Sequence, residues 1–534
     1  MNRKTLVLPA VLGLFTPVLV GCGEPGGGDR KGHAITVGTT DSFAATEHSP
    51  GPLDPAHAYD AGSWNLLRQT LQTLMTMERG GGEPVPEAAE SCAFTDTGNE
   101  RYECTLRDGL TFAGGEAVTA TDVKYSIDRV LGIKSSSGVA SLLNTIDTVE
   151  TQGYKKVIFH LKTPDATFPF KLATPVAGIV HPEEYPRDRL REGFRVDGSG
   201  PYTLEAETKD GRLTKAVFTK NEKYQGRHTP KNGKVELRPF VDAGAMGAAL
   251  DAGEIDLMTR TMSPEQIKKL SDGADEDVKL VETPGLEIRY LGFNTEAPGV
   301  RKKAVRQAMA QLVDRGALTS TVYGEMADPL YSLVPVTLPG HSSAFFNRYG
   351  APSTDKARSI LSKAGVTTPV KLTLHYTTDH YGPGTAKEFA VLKKQLNASG
   401  LFDVEVKGTE WKKFRAEELD GTYAVYGLGW FPDFPDADNF LAPFLDKGNF
   451  LALPYVNSAI RDDLIPRSRR EADRTGASRS IEEIQDIVAE DVPVLPLWQG
   501  RQYVAARDDV QGAEWALDSS SNLQLWELSR GVSG

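Results

Sequence analysis

After Val20 the chain has no apolar run long enough to cross a bilayer as a helix, which excludes a body threaded through a membrane. It has no Gly-rich loop ending in Lys-Ser or Lys-Thr, so the amide cradle and the lysine used in ATP hydrolysis are missing. No HExxH occurs. His375 and His380 are neighbours at a strand end and in the loop after it, with no third ligand near. Both are expected to be solvated and not to hold metal. No cofactor is expected. Lys and Arg form no stripe and the formal charge is −12, so there is no electrostatic footprint for nucleic acid. An acidic surface fits plain solubility and a positively charged ligand equally well.

Cysteine is scarce, with three residues in 534. Cys22 closes the run Leu19-Val20-Gly21-Cys22, which looks like a bacterial lipobox. Before it lie Arg3 and Lys4, then the apolar stretch Leu6–Val20. This order is that of an export signal, residues 1–21, cleaved so that the thiol takes a diacylglycerol. Residues 22–32 (CGEPGGGDRKG) read as a flexible tether. The protein is therefore expected to be exported and held at the outer face of the bacterial membrane by lipid alone. Cys92 and Cys104 flank a turn-rich segment between two expected strands. An exported compartment permits a disulfide there, and the hairpin spacing allows one.

The length calls for two or three lobes. Ala34–Gly38 alternates as a first strand, and Ser63 is placed to cap a helix carrying Leu66, Leu67, Leu71 and Leu74. Tyr59 and Trp64 stand at that helix's entrance, facing either a cleft or the core. Thr119 and Asp122 form a capping-box-like pair. Asp210-Gly211 joins two strands as a tight hairpin. Val370–Tyr376, Lys387–Leu396 and Val404–Val406 read as strand, helix and strand, hence a parallel βαβ unit. Ser480-Ile481-Glu482-Glu483 reads as a capping box, and Leu523–Leu528 as a last strand.

The stretch Gly427–Phe444 (GLGWFPDFPDADNFLAPF) is the most unusual. Pro432 and Pro435 fix φ and remove two donors, so Trp430–Asp438 is a stiff loop. Asp433, Asp436 and Asp438 sit among rings. A carboxylate beside apolar walls is costly unless a cation or donors meet it. The loop is either a turn with Asx-type caps or a recognition loop whose rings enclose a ligand while one acid holds its positive end. Gly340-His341-Ser342-Ser343-Ala344 has some likeness to a nucleophile elbow, but Pro335 and Pro339 precede it where a strand is needed. An exported hydrolase using Ser342, or a dyad from the aspartate loop, is the alternative from another class.

Five blocks in order resemble the solute-binding proteins of the peptide/nickel type, solute-binding family 5, which serve ABC importers. They are Tyr102–Leu131; Gly198–Tyr202 with Lys220–Tyr224; Tyr290–Leu318; Asp355–Gly365; and Gly429–Phe440. The resemblance spans nearly all of the chain after the tether. It implies a two-lobed, hinge-linked α/β fold of the periplasmic-binding-protein kind. Lobe I would comprise 33–60, 193–284 and 496–534, with 61–192 as an extra subdomain; lobe II would be 285–495. The crossings near Thr283–Asn294 and Val492–Trp498 would be the hinge. The implied role is capture of a solute, foremost a short peptide, and its delivery to a permease and ATPase on separate chains. A peptide-sensing receptor has the same fold. No bond chemistry is implied, and a monomer is expected. By position after Trp430, the implied ligand of a peptide's α-ammonium is Asp433, with Asp436 and Asp438 as alternatives. Trp430 is expected as a pocket wall, and Asn294, Trp64 and Tyr59 as further candidates.

Overall fold

The computed structural model describes residues 34–531 apart from 48, 80, 274 and 275. The export signal, Cys22 and the tether lie outside the described residues. Among the described residues no helix is long and apolar enough to cross a membrane.

An 11-stranded sheet runs through the molecule. Its order is Phe402–Thr409, Val370–Thr377, Val425–Trp430, Val278–Phe293, Val494–Arg507, Leu257–Thr259, Ile35–Thr39, Lys234–Pro239, Arg212–Lys220 and Tyr202–Lys209. The short strand Ala327–Pro329 also pairs with Val494–Arg507. Apolar side chains from 35–257 and 504–528 make one core, and those from 286–498 make another. A smaller core forms around Met246, Met258 and Tyr503. The result is a two-lobed α/β architecture.

The two longest strands pass between the cores. Val278–Phe293 and Val494–Arg507 pair antiparallel from Val278 opposite Arg507 to Gly292 opposite Val494. Their register breaks between Pro284 and Ile288. Pro284 has no N–H to give the ladder, and Gly285 lets the Gly500 carbonyl come close.

Several local expectations meet their physical tests. The Thr119 amide donates to the Asp122 carboxylate at 2.8 Å, opening the helix Ala120–Ile133. Asp210 and Gly211 take φ of 52° and 73°, the left-handed pair that a tight hairpin requires. Val370–Thr377 and Phe402–Thr409 pair in parallel around the helix Gly384–Ala398. Cys92 faces Cys104 across an antiparallel pair, and their sulfurs are bonded at 2.00 Å.

Others do not. Asp60, not Ser63, caps the helix Ala61–Thr70, its carboxylate accepting from the Ser63 amide at 2.8 Å. The helix after the supposed Ser480 cap begins at Ser478, which leaves Ser480 buried inside it. Leu523–Leu528 contains a turn of 3-10 helix, Leu525–Glu527, and is not a strand. Its backbone is taken up by amide side chains of the Ala61–Thr70 helix. Leu523 N donates to Asn65 at 2.8 Å, and Gln69 donates to the Leu523 carbonyl at 2.7 Å. No sequence period records partners of that kind.

Candidate functional site

Trp430 ends the strand Val425–Trp430, opposite Ile288 of the long strand Val278–Phe293. Gly427 and Gly429 share one face of it by the two-residue period. A Cβ on Gly427 would strike the Phe389 ring, and one on Gly429 would strike the Arg289 guanidinium. The glycines thus let a ring and a cation lie flat against the strand. After Trp430 the prolines keep the chain out of helix until Asp438–Leu445. Phe434 swings across to the first core and lies 5.9 Å from Phe170. The loop therefore touches both cores.

The three aspartates of the loop have different surroundings. Asp436 receives Arg474 through two bonds of 2.7 and 3.0 Å. Asp438 receives Arg469 through two bonds of 2.9 and 3.0 Å. Both charges are matched inside the chain by the planar fork that suits a carboxylate. Asp433 is 9 % exposed, and no Lys or Arg forms an ion pair with it among the described residues. Its Oδ2 accepts from Asn439 Nδ2 at 3.0 Å and from the Tyr59 hydroxyl at 3.2 Å. Its own amide donates to Asn439 Oδ1 at 2.8 Å. Oδ1 of Asp433 accepts no hydrogen bond among the described residues. Burial pushes its carboxyl up to about 6, against the bonds from Asn439 and Tyr59 and the charge of Arg68.

The Tyr59 that bonds this carboxylate is the first of a chain of rings. Tyr59 lies 5.7 Å from Trp64 and 5.4 Å from Phe450. Phe450 in turn lies 6.2 Å from Trp430, and Trp430 lies 6.0 Å from Phe444. Trp430 is 7 % exposed and its Nε1 has no hydrogen-bond partner among the described residues. A cavity of about 460 Å³ opens beside Tyr59 and Phe450. Another, of about 610 Å³, is walled by Pro435, Asp436 and Arg474 together with Thr283 and Pro284.

Two candidates are held by their own neighbours. Trp64 is buried, with Nε1 donating to the Ala58 carbonyl at 2.8 Å. It backs Tyr59. The Asn294 side chain donates to Gly421 O at 2.9 Å and accepts from the Glu296 amide at 3.1 Å, which ties it into a turn. The elbow-like segment shows no catalytic pairing. The Ser342 amide donates to Gln485, the His341 ring meets the Val334 carbonyl at 2.8 Å, and no base bonds the Ser342 hydroxyl among the described residues. His375 and His380 are stacked and not simply solvated: His375 lies 4.0 Å from Tyr423, and His380 lies 3.8 Å from Trp411. Among the described residues no cluster of acids, histidines and cysteines could hold a metal ion.

Asn439, Phe450 and Arg289 were not singled out by sequence reasoning. Arg289 alone left a signal, as one of two charges, with Glu287, in the mostly apolar strand segment Leu286–Phe293.

Residues 83–451 match the family model described as bacterial extracellular solute-binding proteins, family 5 Middle. The oligopeptide-binding protein OppA of Bacillus subtilis is 24% identical over 526 residues, covering 93% of this chain and 94% of that protein. A dipeptide-binding protein of Pseudomonas aeruginosa is 26% identical over 519 residues, covering 90% and 94%. A solved dipeptide-binding protein from Pseudoalteromonas, in complex with Met-Leu, superposes with a TM-score of 0.79 at 19% identity, covering 93% of this chain and 100% of that one. That last likeness is one of fold.

Proposed function

The chain belongs to the bacterial extracellular solute-binding proteins of family 5, and on that premise we propose that it captures a short peptide between its lobes and delivers it unaltered to a membrane permease. One observation carries the peptide reading. Asp433 is a buried carboxylate with an open oxygen, no Lys or Arg in ion-pair contact among the described residues, the charge of Arg68 acting without a bond, and Tyr59 beside it. An α-ammonium supplies the missing charge through a charge-assisted bond, strengthened where water is excluded. The peptide-binding names of the relatives support the same cargo.

The lobes are 33–60 with 193–284 and 496–534, extended by 61–192, and 285–495. They close on the cargo about the paired strands Val278–Phe293 and Val494–Arg507. Residues 1–21 direct export, Cys22 carries the lipid, and 22–32 form the tether. The protein works as a monomer at the outer face of the cell membrane, with permease and ATPase on other chains. It holds its cargo without breaking a bond.

Calorimetry with a panel of short peptides, followed by mass spectrometry of each peptide, tests this reading. Saturable binding with the peptide recovered whole is expected. Cleaved peptide, or heat from non-peptide solutes alone, contradicts it. For the anchor, labelled palmitate is expected to enter the wild type but not Cys22→Ser. Equal labelling of both removes the lipid from the account.

A further inference from the structure

The Asn99 side chain donates from Nδ2 to the Arg470 carbonyl at 2.8 Å. The Ala166 amide donates to the Arg469 carbonyl, also at 2.8 Å. On the proposed lobe division both bonds run from 61–192 to lobe II. Two successive carbonyls of one turn are thus held by two separate points of the opposite body. Phe170 against Phe434 adds an apolar contact between the same two bodies. None of Asn99, Ala166, Arg469 and Arg470 lines the cavity beside Tyr59 or the one walled by Pro435. The two bonds therefore lie apart from the space proposed for cargo.

Each side is fixed before the two meet. Asn99 is buried and takes a φ of 56°, a left-handed angle that Asn tolerates better than most residues. Its loop keeps its form by itself, because Asp96 accepts from the Glu100 and Arg101 amides, each at 3.1 Å. The Asp165 amide donates to the Asn99 carbonyl at 3.1 Å, so Asn99 and Ala166 arrive as one unit. The Asp165 carboxylate is buried and accepts from Lys171 at 2.6 Å, Thr145 at 2.9 Å and Thr167 at 2.6 Å. Against the burial that would raise it, Lys171 and the charge of Arg469 hold this carboxyl down to about 2. On the other side, Arg469 donates to Asp438 and Asp446. Arg474 donates to the Ser468 carbonyl at 2.6 Å as well as to Asp436. Asp436 and Asp438, the two loop aspartates already matched by arginine, thus hold the turn that offers the carbonyls. One loop carries both the proposed ammonium site and the supports of this contact.

We propose that Asn99 and Ala166 on the Arg469–Arg470 turn form a latch, made when the lobes close and broken before they part. This rests on the capture reading and adds control of release to it. Opening about the paired long strands separates the two bodies, so both bonds must be exchanged for bonds to water. Each such exchange costs a modest amount, and the latch residues touch no cargo. The latch therefore sets how fast cargo leaves, while selectivity stays with the residues around Asp433. Asn99 is a positioning residue in this scheme and acts only through the lobes.

The test uses the mature protein with Asn99→Gly and Asn99→Asp, each matched to wild type by circular dichroism. Glycine keeps the left-handed angle and removes the donor. Aspartate keeps the shape and turns a carboxylate oxygen on the Arg470 carbonyl. Stopped-flow tryptophan fluorescence follows trialanine binding and release. Dissociation is expected to speed up about threefold to tenfold in Asn99→Gly and further in Asn99→Asp. Association is expected to change by less than about twofold, since the latch forms after encounter. Both variants should keep the preference of wild type between trialanine and its N-acetylated form. Equal dissociation rates in all three proteins overturn the latch while leaving peptide capture intact. If neither trialanine nor the rest of the peptide panel binds wild type, the capture reading fails, and small-angle scattering of the cargo-free proteins decides the latch by itself. A larger radius of gyration in both variants supports it; the same radius in all three overturns it.

Discussion

The Tyr59 hydroxyl donates to Asp433 Oδ2 at 3.2 Å, joining a residue packed on the first core to the loop that leaves the second. This bond orients the carboxylate and leaves Oδ1 open. It also makes the loop a contact between lobes, as does Phe434 against Phe170. On the capture reading, binding and lobe closure are linked through one short segment.

The apo protein should register the cost of this arrangement. Burial raises the Asp433 carboxyl from 3.8 to about 6. Between those values the folded chain keeps a proton that the unfolded chain has lost. Stability from this group is therefore present at low pH and is lost as pH rises to 6, a difference of about 3 kcal/mol. Asp433→Asn is expected to be more stable than wild type at pH 8 by about 1–3 kcal/mol and equal to it at pH 4, as read from urea unfolding. A less stable variant at pH 8 contradicts the assignment.

Ligand binding should titrate in the opposite sense. An ammonium needs the ionised carboxylate, so affinity for a free-amine peptide is expected to fall about tenfold per unit as pH drops below 6. Asp433→Asn should show no such slope, and neither should an N-acetylated peptide on wild type. Calorimetry across pH 4.5 to 8 decides it, because other titrating groups affect both peptides alike.

Asp436 and Arg474 should behave as a structural pair. Arg474→Ala strands a buried carboxylate and is expected to cost about 3–5 kcal/mol in chemical unfolding. The preference for free over acetylated amino termini should persist in the variant. Loss of that preference with stability intact would move the ammonium site to Asp436.

The Cys92–Cys104 bond closes a short hairpin loop. Replacing both cysteines by serine is expected to cost about 2–4 kcal/mol, with peptide affinity unchanged. Unfolding curves with and without reductant give the same comparison in the wild type.

The sequence made legible what depends on period and turn chemistry. The βαβ unit around Gly384–Ala398, the Asp210-Gly211 hairpin and the stiffness of the loop after Trp430 all follow from residue type at fixed spacing. It could not show which aspartate stays unpaired, because Arg469 and Arg474 reach Asp438 and Asp436 from 31 and 38 residues away. The same limit hid the capture of the Leu523–Leu528 backbone by Asn65 and Gln69, hundreds of residues distant in the chain. Arg306 sits on a helix with an apolar face and is nevertheless buried, because carbonyls of Val300, Asp491 and Val492 accept its protons. Long-range polar pairing leaves no periodic trace.

A thermodynamic cycle between Asp433→Asn and N-acetylation of one peptide tests the central claim most directly. The account predicts that acetylation weakens binding to wild type roughly tenfold to a hundredfold, as removal of a charge-assisted bond should. It predicts almost no effect of acetylation on the variant. Equal losses on acetylation in both proteins would contradict it, for Asp433 would then not be meeting the amino terminus of the cargo.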